Sequence, residues 1–299
     1  STLSYLNFTL NEDGKQKKYT GQKNYLTDVL RGKAVDFIGS TPRDTPLFLY
    51  LPLKAPHSPA TPAKRDRNAY RGVAVERTPS LNEEDVSDKP AYIRNAPKID
   101  LGLLDRDEQR RLASLRSAYA AINAVLQQLR TEGRLDNTYI FVFSDNGWMR
   151  GEHRMLTKGF PYDSSVRIPM VVSGPGIAAG ETDHRIVANV DVAPTIAALA
   201  KIPLPRADGK NLLSDLDREY MLMESWGGPT WSALRGKTWL YVENDSDERE
   251  YYDYETDEYE LENQLANWGD HTPALDNETA ARLEARLSEA KRCKGAQCP

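Results

Sequence analysis

The stretch Tyr139-Ile-Phe-Val-Phe-Ser-Asp-Asn-Gly147 decides the reading of this chain. Its β-favouring run from Tyr139 to Phe143 breaks at Ser144 into Asp, Asn and Gly, the pattern of a buried strand that ends in a polar turn. In open α/β sheets, ligands settle just beyond the carboxyl ends of strands. Asp145 and Asn146 place a carboxylate and an amide carbonyl side by side there, hard oxygen donors that suit Ca2+ or Mg2+ better than a thiophilic metal. The same residue types also make an ordinary Asx turn, and the stretch by itself leaves both readings open. Close downstream lie Gly151-Glu-His-Arg154, Lys158, Tyr162 and a further apolar run, Ile168-Pro-Met-Val-Val172.

Upstream, Leu47-Phe-Leu-Tyr-Leu51 is an apolar run of strand length, followed by Pro52-Leu-Lys-Ala-Pro-His57. His57 thus takes the same kind of place as Asp145, past the end of a predicted strand. A right-handed crossover between the two strands would bring both side chains to one rim of a parallel sheet. From its residues alone, a histidine at such a place is more often an ordinary hydrogen-bonded one, and Lys54 reads as a solvated or structural lysine.

Residues 1–21 read as extended with a turn at Asn11-Glu-Asp-Gly14, and residues 25–38 as a helix ended by Gly39. The long charged excursion over 56–104 reads as a lid-like wall, with Arg65, Arg67 and Arg71 either facing an anionic polymer or simply solvated. The strongest helical pattern spans 105–132, with Leu112, Leu115, Tyr119, Ile122, Leu126 and Leu129 as its apolar stripe. A short strand over 186–190 and a helix over 193–200 follow. Short strands are then predicted at 220–223, 231–235, 238–243 and 250–253, with a helix over 279–291. The fold class is therefore α/β: a parallel-rich central sheet flanked by helices over 1–210, and a small C-terminal antiparallel sheet with one helix over 211–299.

The 299 residues are 39% hydrophobic and 28% charged, a globular composition with enough apolar side chains for a core. A net charge of −5 lacks the basic stripe that nucleic acid demands, so no nucleic-acid partner is expected. No apolar run is long enough for a membrane span. The chain opens on Ser1 with no signal sequence before it, as a processed, trimmed or truncated chain would. Its cysteines, Cys293 and Cys298, either close a small disulfide loop in an oxidising compartment or are idle thiols; exposed thiols are a liability, which favours the disulfide.

The run from Ser144 to Asp163, with Val166-Arg-Ile-Pro-Met-Val-Val-Ser-Gly-Pro-Gly176, resembles the sulfatase family of the alkaline phosphatase superfamily. In flavour it is similar to glucosamine-6-sulfatases and bacterial arylsulfatases. Tyr25-Leu-Thr-Asp-Val-Leu30, Lys54-Ala-Pro-His57, Asp191-Val-Ala-Pro-Thr195, Asp208-Gly-Lys210 and Tyr251-Tyr-Asp-Tyr-Glu-Thr-Asp257 match in the same order, so the resemblance covers nearly the whole chain. It implies a secreted, periplasmic or lysosomal hydrolase of sulfuric esters, acting on a sulfated carbohydrate or an aryl sulfate. It implies Asp145 and Asn146 as ligands of Ca2+ (or Mg2+), His57 as the group that protonates the leaving oxygen, and Lys158 as a stabiliser of ester charge. His153 would bind substrate or brace its loop.

One departure matters. The family's nucleophile is a formylglycine made within Cys/Ser-x-Pro-x-Arg, and that segment does not occur here; Ser40-Thr-Pro-Arg43 is one residue short. The paired Asp-Asp of a first strand is absent too. The expectation is that the nucleophile belongs to a missing N-terminal portion of the same protein, and that this chain alone is inactive. Two alternatives stand beside it: a phosphate or phosphonate monoester hydrolase of the same superfamily, and a non-catalytic protein that binds sulfated glycan. The four histidines of the chain speak against a rich two-metal site.

Overall fold

A computed structural model describes residues 4–225 and 227–299. The first part runs β1 (Asn7–Glu12), β2 (Lys15–Thr20), α1 (Leu26–Ser40), α2 (Ala91–Arg94), α3 (Leu101–Thr131) and β3 (Ile140–Phe143). Then come β4 (Met149–Arg150), β5 (Leu156–Thr157), α4 (Asp163–Val166), β6 (Met170–Ser173) and α5 (Val192–Leu199). The last part holds β7 (Tyr220–Ser225), β8 (Trp231–Gly236), β9 (Trp239–Asn244), β10 (Arg249–Asp253) and α6 (Asn277–Ala290). The fold is mixed α/β with a C-terminal antiparallel sheet. The chain divides into two compact units, the first made of the chain up to Val75, Asp100–Val142 and Val171–Ala179. The second comprises Glu76–Ile99, Phe143–Met170 and Gly180–Pro299.

In the first unit, β1 and β2 form a hairpin in which Glu12 faces Lys15. Asp13 and Gly14 between them sit at φ 51° and 86°, the left-handed pair that a two-residue turn requires to follow the strand twist. Helix α1 buries Leu26, Ala34 and Ile38, and it runs one residue past Gly39, where the sequence pattern had placed its end. The glycine serves a close approach instead: a Cβ there would lie 3.0 Å from Gln128 Nε2 of α3. Asp100 caps α3, its Oδ1 accepting from the Leu103 amide at 2.7 Å.

The predicted stripe on α3 is fully buried only at Leu129, with Leu112, Ile122 and Leu126 half-buried. Leu115 and Tyr119 are 38% and 69% exposed, whereas Ala113, Ser114, Ser117, Ala118 and Ala121 are buried. Small side chains let the neighbouring backbone come near, and that outweighed the bulk of the leucines. Strands β3 and β6 pair with each other. Residues 47–51 and 186–190, read above as strands, belong to none. Extended backbone becomes a strand only with a ladder partner, and 47–51 keeps just the alternation, with Phe48 66% and Tyr50 73% exposed.

The second unit is built on the antiparallel sheet β10-β9-β8-β7. Along β9, Leu240 and Val242 face one side and Tyr241 the other, the two-residue period of a strand covered on both faces. Helix α6 covers one face through Leu283, Leu287 and Ala290, against Leu234 and Tyr241. Met149, Phe160, Tyr162, Val86 and Ile93 cover the other, against Trp231, Ala233 and Tyr252. Val86, Lys89 and Ile93 are therefore core residues, so the stretch 76–99 is a packed insert rather than a lid. Cys293 and Cys298 are joined, with S–S at 2.08 Å. Among the described residues no helix is long and apolar enough to cross a membrane.

Candidate active site

The turn after β3 is held by its own side chains and by α4. Ser144 Oγ donates to the Asn146 carbonyl at 2.8 Å, and Asn146 Nδ2 to the Gly147 carbonyl at 2.7 Å. Asn189 Nδ2 donates to the Asp145 carbonyl at 3.1 Å. Gly147 N–H bonds the Ser165 carbonyl at 2.9 Å and Trp148 N–H the Ser164 carbonyl at 2.6 Å. Only glycine fits at 147, since a Cβ would meet the Ser164 carbonyl oxygen at 2.4 Å. This locking leaves the Asp145 side chain exposed at the end of the strand.

Lys158 reaches the same turn: its Nζ donates to Asn146 Oδ1 at 2.7 Å. The structure thus brings Lys158 against Asn146, the neighbour in sequence of Asp145, three residues that the sequence singled out. In kind, the oxygens of Asp145 and Asn146 fit a hard cation. In number they supply two of the about six to eight ligands that Ca2+ takes, and no group of three or more His, Cys, Asp or Glu suited to a metal occurs among the described residues.

Between Asp145 and Lys158 the backbone is strained. His153, Arg154 and Thr157 have φ of 49°, 62° and 78°, uncommon for residues with a Cβ. A clamp from residues 80–84 supports the loop: His153 N–H bonds the Ser80 carbonyl at 2.8 Å, and Asn82 N–H the Gly151 carbonyl at 2.8 Å. The Arg154 guanidinium donates to the carbonyls of Glu83 and Glu84 at 3.0 and 2.8 Å.

His153 itself is 1% exposed. Its Nδ1 lies 2.6 Å from Glu83 Oε2 and its Nε2 3.8 Å from Glu260 Oε2. Burial alone would lower its pKa; the Glu260 and Glu83 carboxylates outweigh that and lift it to about 9, so the ring is a cation at neutral pH. Lys89, fully buried, adds a second cation 3.4 Å from Glu83 and 3.0 Å from Asp88. Beside this cluster, Glu250 accepts from Tyr162 and Tyr252 hydroxyls at 2.6 and 2.8 Å and from Asn244 Nδ2 at 2.9 Å. Burial raises the Glu250 carboxyl pKa. Glu83 and Glu260 carried no signal in the sequence, because each acts on a partner brought close only by folding; nor did Ser165, whose partners are backbone amides.

His57 belongs to the first unit, where it is exposed. Its Nδ1 lies 2.9 Å from the Ser58 carbonyl oxygen, which can only accept, so that nitrogen donates. Lys54 lies over the Tyr5 ring at 5.4 Å, and burial lowers its pKa, as suits a structural lysine. Arg65 is engaged by Asp28 through bonds of 2.7 and 2.8 Å, and Arg71 by Asn68 at 3.0 Å.

The chain belongs to the Sulfatase family, whose model matches residues 4–202. Bovine N-acetylglucosamine-6-sulfatase is 33% identical over 219 residues, 70% of this chain and 39% of that protein. The Drosophila melanogaster extracellular sulfatase SULF-1 homolog is 30% identical over 233 residues, 74% of this chain and 21% of that one. This chain therefore spans well under two thirds of these relatives. Among solved structures, a protein in complex with its substrate D-glucosamine-2-N,6-O-disulfate superposes with a TM-score of 0.81 at 22% identity, over 97% of this chain and 73% of that one. The phosphonate monoester hydrolase of Agrobacterium radiobacter does so at 0.71 and 19%, over 90% and 60%. Both share the fold.

Proposed function

We propose that the protein is a sulfuric ester hydrolase acting on a sulfated carbohydrate or an aryl sulfate, with its formylglycine nucleophile supplied by sequence outside these 299 residues. The observation that carries this is the Lys158 ammonium 2.7 Å from Oδ1 of Asn146, the residue that follows Asp145, in a chain of the Sulfatase family. Residues 1–210 are on this reading the later part of the catalytic domain, in keeping with a family match that stops at 202. Residues 211–299 are its C-terminal subdomain.

Hydrolysis breaks the bond between sulfur and the bridging oxygen, which takes the electron pair and needs a proton. Lys158 sits where a fixed cation offsets the ester's non-bridging charge and the charge that grows on the bridging oxygen. His57 is assigned as the donor of that proton. Asp145 and Asn146 would hold Ca2+ (or Mg2+), which would supply a Lewis acid towards the sulfate oxygens, and a formylglycine outside these residues would supply the nucleophile. His153, buried between two carboxylates, is assigned the role of loop brace and not that of substrate contact.

The glycan preference rests on the N-acetylglucosamine-6-sulfatase relative, and a secreted, periplasmic or lysosomal location on the extracellular relative and the Cys293–Cys298 disulfide. A phosphonate or phosphate monoester hydrolase is the second reading, favoured by the fold match to such an enzyme. A non-catalytic glycan-binding protein would need the nucleophile segment to be missing altogether. The full-length protein, incubated with 6-O-sulfated glucosamine, an aryl sulfate and an aryl phosphonate, should release sulfate from the first two far faster than phosphonate from the third. Preference for the phosphonate, or binding of sulfated sugar with no release, would replace the assignment.

A further inference from the structure

Lys158 is flanked by two residues in the left-handed region, Thr157 at φ 78° and Gly159 at φ 98°. The chain just beyond it is pinned by a single hydroxyl. Ser165, 3% exposed, accepts at Oγ from the amides of Gly159 at 3.1 Å and Phe160 at 3.2 Å. Its carbonyl accepts from Gly147 N–H at 2.9 Å, next to Asn146. One residue of α4 thus holds the Lys158 loop by its side chain and the Asp145–Asn146 turn by its main chain. The tips of those two segments meet in the bond from Lys158 Nζ to Asn146 Oδ1.

We infer that Ser165 is a positioning residue that sets the reach of Lys158 towards the Asp145 and Asn146 oxygens; this deepens, and rests on, the sulfuric ester reading of Lys158. The division of labour within the residue makes the inference specific. Alanine at 165 keeps the carbonyl, so the Asp145–Asn146 turn stays in place. It deletes both bonds to the Lys158 loop, leaving two amides without their acceptor. What then holds Gly159 is its own carbonyl, which accepts from Trp231 Nε1 at 2.8 Å. A loop fastened on one side rather than two lets the ammonium wander, and a misplacement on the order of 1 Å lowers turnover far more than it lowers binding.

The experiment uses the full-length protein with Ser165→Ala, Ser165→Thr, Lys158→Ala and the Ser165→Ala/Lys158→Ala double variant. Hydrogen exchange at Gly159 and Phe160 reports the loop, calcium titration the turn, and steady-state hydrolysis of an aryl sulfate the chemistry. Ser165→Ala should speed exchange at those amides, leave calcium binding no weaker than in the parent because the Asp145–Asn146 turn stays held, and lower kcat about 10-fold with little change in KM. Threonine, which keeps the hydroxyl, should restore most of that loss. In the Lys158→Ala background, Ser165→Ala should cost nothing further, because the group it positions is gone. A merely structural defect lowers turnover equally in both backgrounds and would overturn the inference, as would unchanged exchange at Gly159 and Phe160. Full turnover in Lys158→Ala would remove the reading of Lys158 itself, and with it the purpose assigned to Ser165.

Discussion

The Lys158 ammonium lies 2.7 Å from the Asn146 amide oxygen, so an oxygen of the kind a hard cation takes is also the acceptor of a protein cation. Like charges at this range weaken each other's binding. Lys158→Ala in the full-length protein is therefore expected to tighten Ca2+ about 10-fold, or ~1.4 kcal/mol, while lowering turnover. Asp145→Ala should abolish saturable binding. Calorimetric titration reads both; calcium affinity that falls with Lys158→Ala, or survives Asp145→Ala at full strength, would sink the shared-oxygen picture.

The roles given to His57 and Lys158 separate by leaving group. Removing either should lower kcat by a factor on the order of 10² to 10³ for an ester with a poor leaving group. An activated aryl sulfate needs little protonation of its leaving oxygen, so it should partly rescue His57→Ala and leave Lys158→Ala impaired. Equal losses on both substrates in both variants would make His57 a substrate-positioning residue.

How much of this was legible beforehand depended on the distance over which each interaction acts. Asp145, Asn146 and Lys158 lie within one short stretch, and their meeting follows from a strand end and a returning loop. The C-terminal sheet was equally visible, because the alternation of Leu240, Tyr241 and Val242 is a local pattern with a local cause. Helix α3 was placed, yet its buried face was read only in part: the leucine stripe is conspicuous in sequence, whereas the line of Ala and Ser that lies against α1 is not. Residues 47–51 have the composition of a strand, but composition supplies no ladder partner. The Glu83–His153 pair spans 70 residues of sequence, and nothing near His153 announces that an acidic partner will arrive from elsewhere in the chain.

That pair carries a pH dependence of definite sign. The His153 pKa rises from 6.5 to about 9 on folding, so the folded state holds its proton more tightly than the unfolded chain. The resulting stabilisation, on the order of 3 kcal/mol, is complete below the unfolded value and is lost as pH climbs through the folded one. The melting temperature should fall between about pH 7 and pH 10, and a His153→Gln variant should show a flatter profile. The pKa values of Tyr162 and Tyr252 nearby are pushed well above the usual tyrosine value by burial, which keeps their titration out of this window. A profile as steep in the variant as in the parent would assign the pH dependence to other groups.

Thr157 offers a test of whether strain beside Lys158 is used. A β-branched residue at φ 78° costs on the order of 1–2 kcal/mol relative to glycine. The side chain is exposed and removes little from the core when cut back. Thr157→Gly should therefore relieve the strain, offset in part by the greater freedom of glycine in the unfolded chain, for a net gain of about 1 kcal/mol in denaturant unfolding. The same freedom loosens the residue that precedes Lys158, so kcat should drop several-fold while calcium affinity does not fall. Thr157→Asn, which tolerates the left-handed region while restricting the chain, should keep more of the turnover. If stability and turnover fell together in Thr157→Gly, the threonine would be making contacts that its exposure does not suggest, and the strained backbone would have no part in holding Lys158.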